Sequence, residues 1–333
     1  MAPLSRTQRQ HPRQTRRSRL ANRERRHEHQ WGNDVIELVI QQRRRDLGSF
    51  EVGRVLPFAK RRMVGPYIFF DRMGPKDFAP GLPREADIRP HPHIGLSTIT
   101  YLFDGEIMHR DSVGSAQAIH PGEVNWMTAG RGITHSERFE RLRKEGGPLD
   151  GVQAWVALPD EREEIDPGFW HYASESLPVF DSDGAAGRLI AGRLAGVTSP
   201  VQIDSPQFYV HWKLRAGARV SLPAEYSERA VYVAGGEVEL EGQRIEPGAM
   251  AVLTPGKAAT ISALGDAVVM ALGGEPVGPR YIDWNFVSSS KERIDQARDD
   301  WQAGRMKLPD LDHDEFIPLP PKIGEVSEPE PGS

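Results

Sequence analysis

Two short segments of the chain each place a pair of metal-competent side chains one residue apart. One reads Arg89-Pro90-His91-Pro92-His93-Ile94-Gly95. The other reads Trp126-Met127-Thr128-Ala129-Gly130-Arg131-Gly132-Ile133-Thr134-His135-Ser136-Glu137. Side chains alternate across a β-strand, so His91 with His93, and His135 with Glu137, each offer two ligands to one face. Three imidazoles and a carboxylate suit iron, nickel, copper, manganese or zinc. An octahedral metal with four protein ligands keeps two positions open, where water, dioxygen or a substrate can bind. A lone His-x-His is weak, and His27 with His29, in a polar arginine-rich stretch, is a decoy of that kind. Two pairs set among Gly and Pro, flanking a strand-like stretch, are stronger. The other histidines (His11, His109, His120, His171, His211 and His313) lack such a partner and read as surface or structural.

The intervening sequence explains how the pairs meet. Ser97 to Phe103 is rich in β-branched and aromatic residues, and Asp104-Gly105 signals a turn. A further strand runs from Glu106 to His109, and Pro121-Gly122 turns the chain into Val124 to Met127. Short strands punctuated by Gly, Pro and Asp predict an all-β sandwich or barrel, in which distant segments face one cavity.

These motifs resemble the pirin family of the cupin superfamily. The resemblance is carried by His91-Pro-His93-x-Gly95, the Tyr101-Leu run ending at Glu106, and the Trp126-Met-Thr-Ala-Gly-Arg-Gly segment through His135 and Glu137. Val64-Gly-Pro-Tyr-Ile-Phe-Phe-Asp71 and Leu272-Gly-Gly-Glu-Pro276 add to it, and it spans Ile36 to Met306. It implies two jelly-roll-like cupin barrels in tandem. It also implies a single metal, usually Fe(II), with Cu, Ni, Mn or Zn as alternatives, held in the first barrel by His91, His93, His135 and Glu137. Some members have quercetin 2,3-dioxygenase activity, and the animal protein is a nuclear transcriptional co-regulator. One departure stands out. Many cupins carry a glutamate four residues after the second histidine, where this chain has Ser97. Glu137 is then the carboxylate of the set and the inner candidate for a catalytic base.

An internal repeat also points to two barrels. Tyr101-x-x-x-Gly105-Glu106 recurs as Tyr232-x-x-x-Gly236-Glu237, and Pro121-Gly122 as Pro247-Gly248. In that register His91 and His93 fall on Leu222 and Ala224, while His135 and Glu137 fall on Ile261 and Ala263. The second barrel is therefore expected to bury these four residues and hold no metal.

At 333 residues the chain has room for two domains. The absence of cysteine excludes disulfides, iron–sulfur clusters and thiolate ligands, and is compatible with the cytoplasm. No apolar run is long enough for a membrane helix. Residues 1–45 hold 12 arginines and 4 acidic residues, a net charge of +8 against −5 for the whole chain. This arm reads as a disordered extension over residues 1–34, with nucleic-acid contact through it as the alternative. The remaining segments are expected as a metal-binding barrel over 35–158, a linker over 159–167, and a second barrel over 168–287. A helix over 288–305 follows, capped by Ser289-x-x-Glu292 with Ile294, Ala297 and Trp301 on its buried face, and then a Pro-rich acidic tail over 306–333 that is extended or disordered.

Phe70, Trp126 and Met127 are candidates for a planar-substrate pocket, or else ordinary core. Arg131 is placed to orient an anion or to pair with a structural carboxylate. The functional expectation is a metal-dependent dioxygenase acting on a flavonol-like, quercetin-type aromatic substrate, in a cytoplasmic monomer. The alternative is a metal-bearing, redox-sensitive binding protein that regulates a transcription factor or enzyme without turnover.

Overall fold

The computed structural model describes residues 35–46 and 51–321. The arginine-rich arm over 1–34 lies outside them. The chain folds as two β-sandwich barrels of matching design, each a large sheet facing a four-stranded one. In the first barrel the large sheet runs in the order Gly168–Tyr172, Val124–Thr128, Leu96–Asp104, Gly147–Ala157, Tyr67–Phe78, Glu51–Leu56 and Arg43–Asp46. Its small sheet is Ile88–His93, Ile133–Arg138, Ile107–Asp111 and Ala116–Ile119. The second barrel repeats this plan, with Arg219–Leu222, Ala259–Ala263, Val238–Leu240 and Gln243–Ile245 as its small sheet.

The barrels exchange edge strands. Ile36–Gln41, expected at the start of the first barrel, pairs with Ala249–Leu253 of the second. Gly168–Tyr172, expected at the start of the second barrel, pairs with Val124–Thr128 of the first. Each borrowed strand covers an otherwise bare edge, which joins the two halves by main-chain hydrogen bonds. Between the halves lies a shared core that includes Phe70, Tyr101 and Trp126 on one side and Tyr209, Tyr232 and Met270 on the other. No boundary drawn along the sequence separates two barrels that trade strands.

The second barrel carries apolar residues where the repeat predicts counterparts of the ligands. Leu222 and Ile261 are fully buried and Ala263 nearly so. Ala224 departs from expectation: it lies beyond the end of its strand and is exposed. The strand pairing also shifts the repeat register by two residues. Ile261 faces Val220 and Ala259 faces Leu222, as His135 faces His91 and Ile133 faces His93. Val220 and Leu222 thus occupy the places of His91 and His93.

The C-terminal helix spans Lys291–Gln302 and buries Ile294, Ala297 and Trp301. Its N-cap is Ser290, whose hydroxyl accepts the Arg293 N–H, one residue later than expected. Ser289 instead binds the buried carboxylate of Glu163. The tail through residue 321 lacks regular structure, yet it is docked rather than loose. Arg138, on the outer face of the strand that carries His135 and Glu137, grips Asp312 through two 2.6 Å hydrogen bonds, and Ser136 donates to the same carboxylate. The Ile317 N–H donates to the Pro90 carbonyl on the outer edge of the small sheet. Both Arg138 and Asp312 are nearly buried in side chain. Arg138 also meets Asp87 at 3.4 Å and Glu315 at 3.1 Å, so losing Asp312 removes direct charge-assisted hydrogen bonds without stranding the guanidinium, a cost of about 2 kcal/mol. Asp312→Ala is therefore expected to lower stability by about that amount in urea unfolding at pH 7. Burial raises the Asp312 pKa, but its bonds to Arg138 and Ser136 win and hold it low. The contribution is present above the ordinary carboxylate pKa and lost as pH falls through the folded value, so the Ala variant and wild type should converge in acid.

Candidate metal centre

The first ligand segment is an edge strand of the small sheet, which explains its prolines. Pro90 and Pro92 lack the N–H an interior strand requires, and an edge tolerates that loss. They alternate with His91 and His93, so the imidazoles share the inward face. Gly95 then takes φ +66°, and a Cβ there would meet the Val287 carbonyl oxygen at 2.0 Å. Its N–H donates to the Gly130 carbonyl at 2.9 Å, tying the turn after His93 to the turn before Ile133. Gly130, at φ +50°, is just as constrained against Ile165. Antiparallel pairing then sets His135 directly opposite His91.

His91, His93 and His135 form one cluster, with all ligand nitrogens within 4.8 Å of one another. His93 Nε2 and His135 Nε2 are 3.1 Å apart. Two nitrogens bound at right angles to one metal, each about 2.1 Å from it, sit about 3 Å apart. His91 donates from Nδ1 to the Arg89 carbonyl at 2.9 Å, and His93 from Nδ1 to the Asn285 carbonyl at 3.1 Å. A carbonyl only accepts, so both rings keep Nε2 unprotonated for a metal, the usual arrangement around ligating histidines. Burial lowers the His91 pKa to about 4 and drives His93 and His135 well below the usual imidazole value. The Nε2 spacing and the carbonyl-anchored Nδ1 atoms of His91 and His93 together make a donor set that fits a metal.

Glu137 is not in that cluster. A bulge shifts the pairing between His135 and Glu137, so Glu137 lies opposite Ile88. Its side chain reaches Thr100 on the facing sheet, and burial raises its pKa to about 7 against the opposing effect of that hydrogen bond.

The inner face of the large sheet meets the cluster with two rungs of different character. Across registered neighbours, one rung reads Phe69, Trp155, Thr98, Met127 and Phe169. Trp155 stacks on Phe69 at 4.0 Å and meets the His93 ring edge-on at 5.0 Å. The next rung reads Arg54, Asp71, Gln153, Thr100, Asn125 and His171. Arg54 holds Asp71 through two 2.8 Å hydrogen bonds, Thr100 donates to Gln153, and His171 bonds Asn125.

Of the expected pocket residues, only Met127 faces the site. Phe70 and Trp126 each neighbour an inward residue in sequence, so strand alternation turns them into the core between the barrels. Arg131 is exposed and pairs with Asp166. His109, read from the sequence as surface or structural, is buried beside His135. Its partner two residues away is an aspartate, Asp111, which accepts from His109 Nε2 at 2.9 Å. His-x-Asp was the signal in the sequence.

Fold and site together define a two-barrel cupin with a three-histidine centre in its first barrel. The chain belongs to the pirin family: the Pirin family model matches residues 49–156, and that of the Pirin C-terminal cupin domain matches residues 209–307. A pirin-like protein of Caulobacter vibrioides is 63% identical over 86% of this chain and all of its own length. A crystal structure of quercetin 2,3-dioxygenase from Acinetobacter baumannii superposes with a TM-score of 0.80 at 31% identity, covering 87% of this chain and 96% of that one. A second structure of that name from the same organism gives 0.77 at 27% identity, over 82% and 98% of the two chains.

Proposed function

We propose that this protein is a metal-dependent dioxygenase of flavonol-like substrates, with Fe(II) held by His91, His93 and His135 and with Glu137 as carboxylate ligand and base. The observation that carries the reading is the buried cluster of three imidazoles, with the buried carboxyl of Glu137 on the same strand as His135. The likeness to structures named quercetin 2,3-dioxygenase supports it.

When bound, the metal would act as a Lewis acid that acidifies a coordinated hydroxyl and as a one-electron partner for dioxygen. The protein's own groups do the rest. Phe69, Trp155, Met127 and Phe169 offer a flat apolar surface to a planar ring system. Thr100, Gln153 and Asn125 offer donors and acceptors to its hydroxyl groups, one rung away. Glu137, ionised, accepts the substrate hydroxyl proton on a carboxylate oxygen. A nearby cation would favour its charged form.

Among the described residues no helix is long and apolar enough to cross a membrane. A cytoplasmic monomer is the setting we propose for it. The test is oxygen uptake by iron-loaded protein with quercetin. Consumption of oxygen matched to loss of the flavonol is the expected result. No consumption with iron, copper, nickel or manganese would exclude the dioxygenase and leave the metal-bearing binding protein.

A further inference from the structure

The three clustered imidazoles do not have their protons placed in the same way. For His91 and His93 the Nδ1 partner is a main-chain carbonyl, which only accepts. For His135 the Nδ1 partner is another imidazole nitrogen, His109 Nδ1, at 3.3 Å. Two such nitrogens make a hydrogen bond only when one carries a proton and the other does not. The carbonyl-bound rings are fixed by geometry, and His135 is fixed by whatever fixes His109.

That group is Asp111. Its Oδ1 accepts the main-chain N–H groups of Val113 and Ser115 at 3.0 and 2.9 Å, which orients the carboxylate and leaves Oδ2 for His109 Nε2 at 2.9 Å. A carboxylate only accepts, so His109 carries its proton on Nε2. With that proton directed to Asp111, His109 can present a bare Nδ1 to His135, which then supplies the proton of their bond from its own Nδ1. This leaves His135 Nε2 bare and aimed at His93 Nε2. The ring of His109 has no freedom to escape the arrangement, because Phe169 stacks on it at 4.3 Å and 17°. Strand pairing fixes the rest, with Asp111 registered opposite His135 and His109 opposite Glu137.

We propose that Asp111 and His109 form a positioning relay that holds His135 in the tautomer able to bind the metal. The relay rests on the metal-centre reading above and adds two residues to it. Neither touches metal or substrate. Their action is through His135 alone, and partners of this kind are typically worth about 10- to 100-fold in metal affinity.

Asp111→Asn gives the sharpest test because it keeps size and shape. Oδ1 must still accept two main-chain N–H groups, so the new amide nitrogen takes the Oδ2 position and donates to His109 Nε2. His109 then carries its proton on Nδ1, facing His135, and the proton of His135 is left on Nε2, where the metal would bind. With full-length protein, nickel(II) affinity measured by chelator competition at fixed pH should fall about 10- to 100-fold. The metal-free thermal midpoint should change little. Long-range proton–nitrogen correlation spectra should show His109 protonated on Nε2 in the wild type and on Nδ1 in the variant. A simple packing defect would not exchange those two signals.

Wild-type His109 protonated on Nδ1 would overturn the proposal, and so would an Asp111→Asn protein that binds nickel within twofold of wild type. If Asp111→Asn does not fold, the wild-type spectrum decides alone. If the wild type binds no nickel, the metal reading fails while the spectrum still decides the relay.

Discussion

His93→Ala is expected to abolish stoichiometric metal binding and every metal-dependent activity. His93 is 1% exposed, and its Nε2 lies 3.1 Å from that of His135, so no solvent-borne ligand replaces it without reopening the core. Loss of a direct ligand should exceed the roughly 100-fold ceiling usual for an outer partner. Metal content after dialysis, with circular dichroism as a check on folding, measures it. The fold should persist, since apart from its contacts with His91 and His135 the imidazole meets only the Asn285 carbonyl and the edge of Trp155 among its hydrogen-bond and ring partners. A His93→Ala protein that retains one tightly bound metal would remove this residue from the site.

Glu137→Gln should have two effects of opposite sign. As the proposed base, Glu137 accepts a proton that an amide cannot, so turnover should fall about 100- to 10,000-fold while some metal is retained. Metal-free stability should instead rise in alkali. The folded carboxyl titrates near 7, above the ordinary value of 4.5. A group raised in this way contributes stability that is full below the unfolded pKa and lost as pH rises through the folded one. At pH 8 the wild type carries a buried carboxylate, which the amide avoids, so the variant should be more stable by up to about 3 kcal/mol. That difference should vanish below about pH 4.5, where both side chains are neutral. Denaturant unfolding of metal-free protein at pH 5 and pH 8 reads the trend. Equal stability of the two proteins at pH 8 would contradict the raised pKa.

Much of this architecture was legible because strand alternation is a local property. The i, i+2 spacing alone placed His91 and His93 on one face, and the Gly and Pro residues around them located the turns. The same rule, applied one residue further, would have separated Phe69 from Phe70 and Met127 from Trp126, but a strand buried on both faces gives no polar residue to mark the inside. Ala224 illustrates another limit. A repeat register carried by glycines and prolines follows the turns, and turns slide by two residues against the strands without breaking alternation. The exchanged edge strands were hidden because pairing across the whole chain leaves no local trace in Ile36–Gln41 or Gly168–Tyr172. The tail's order was hidden for a similar reason: Asp312 looks like one acid among many until Arg138 is found beneath it. Glu137 is the remaining case. Its spacing from His135 gave its face, but the bulge that sets it apart from the three imidazoles depends on how Ile88–His93 pairs.

The central claim is that one metal sits among His91, His93 and His135 and that the second barrel holds none. Metal analysis of protein purified without oxygen, combined with anomalous diffraction from crystals of the same material, tests it most directly. The expected result is one transition-metal ion per chain, with its anomalous peak about 2.1 Å from each of the three imidazole nitrogens. A metal-free protein that takes up none of iron, nickel, copper, manganese or zinc, or a peak beside Leu222 and Ile261 in the second barrel, would contradict it.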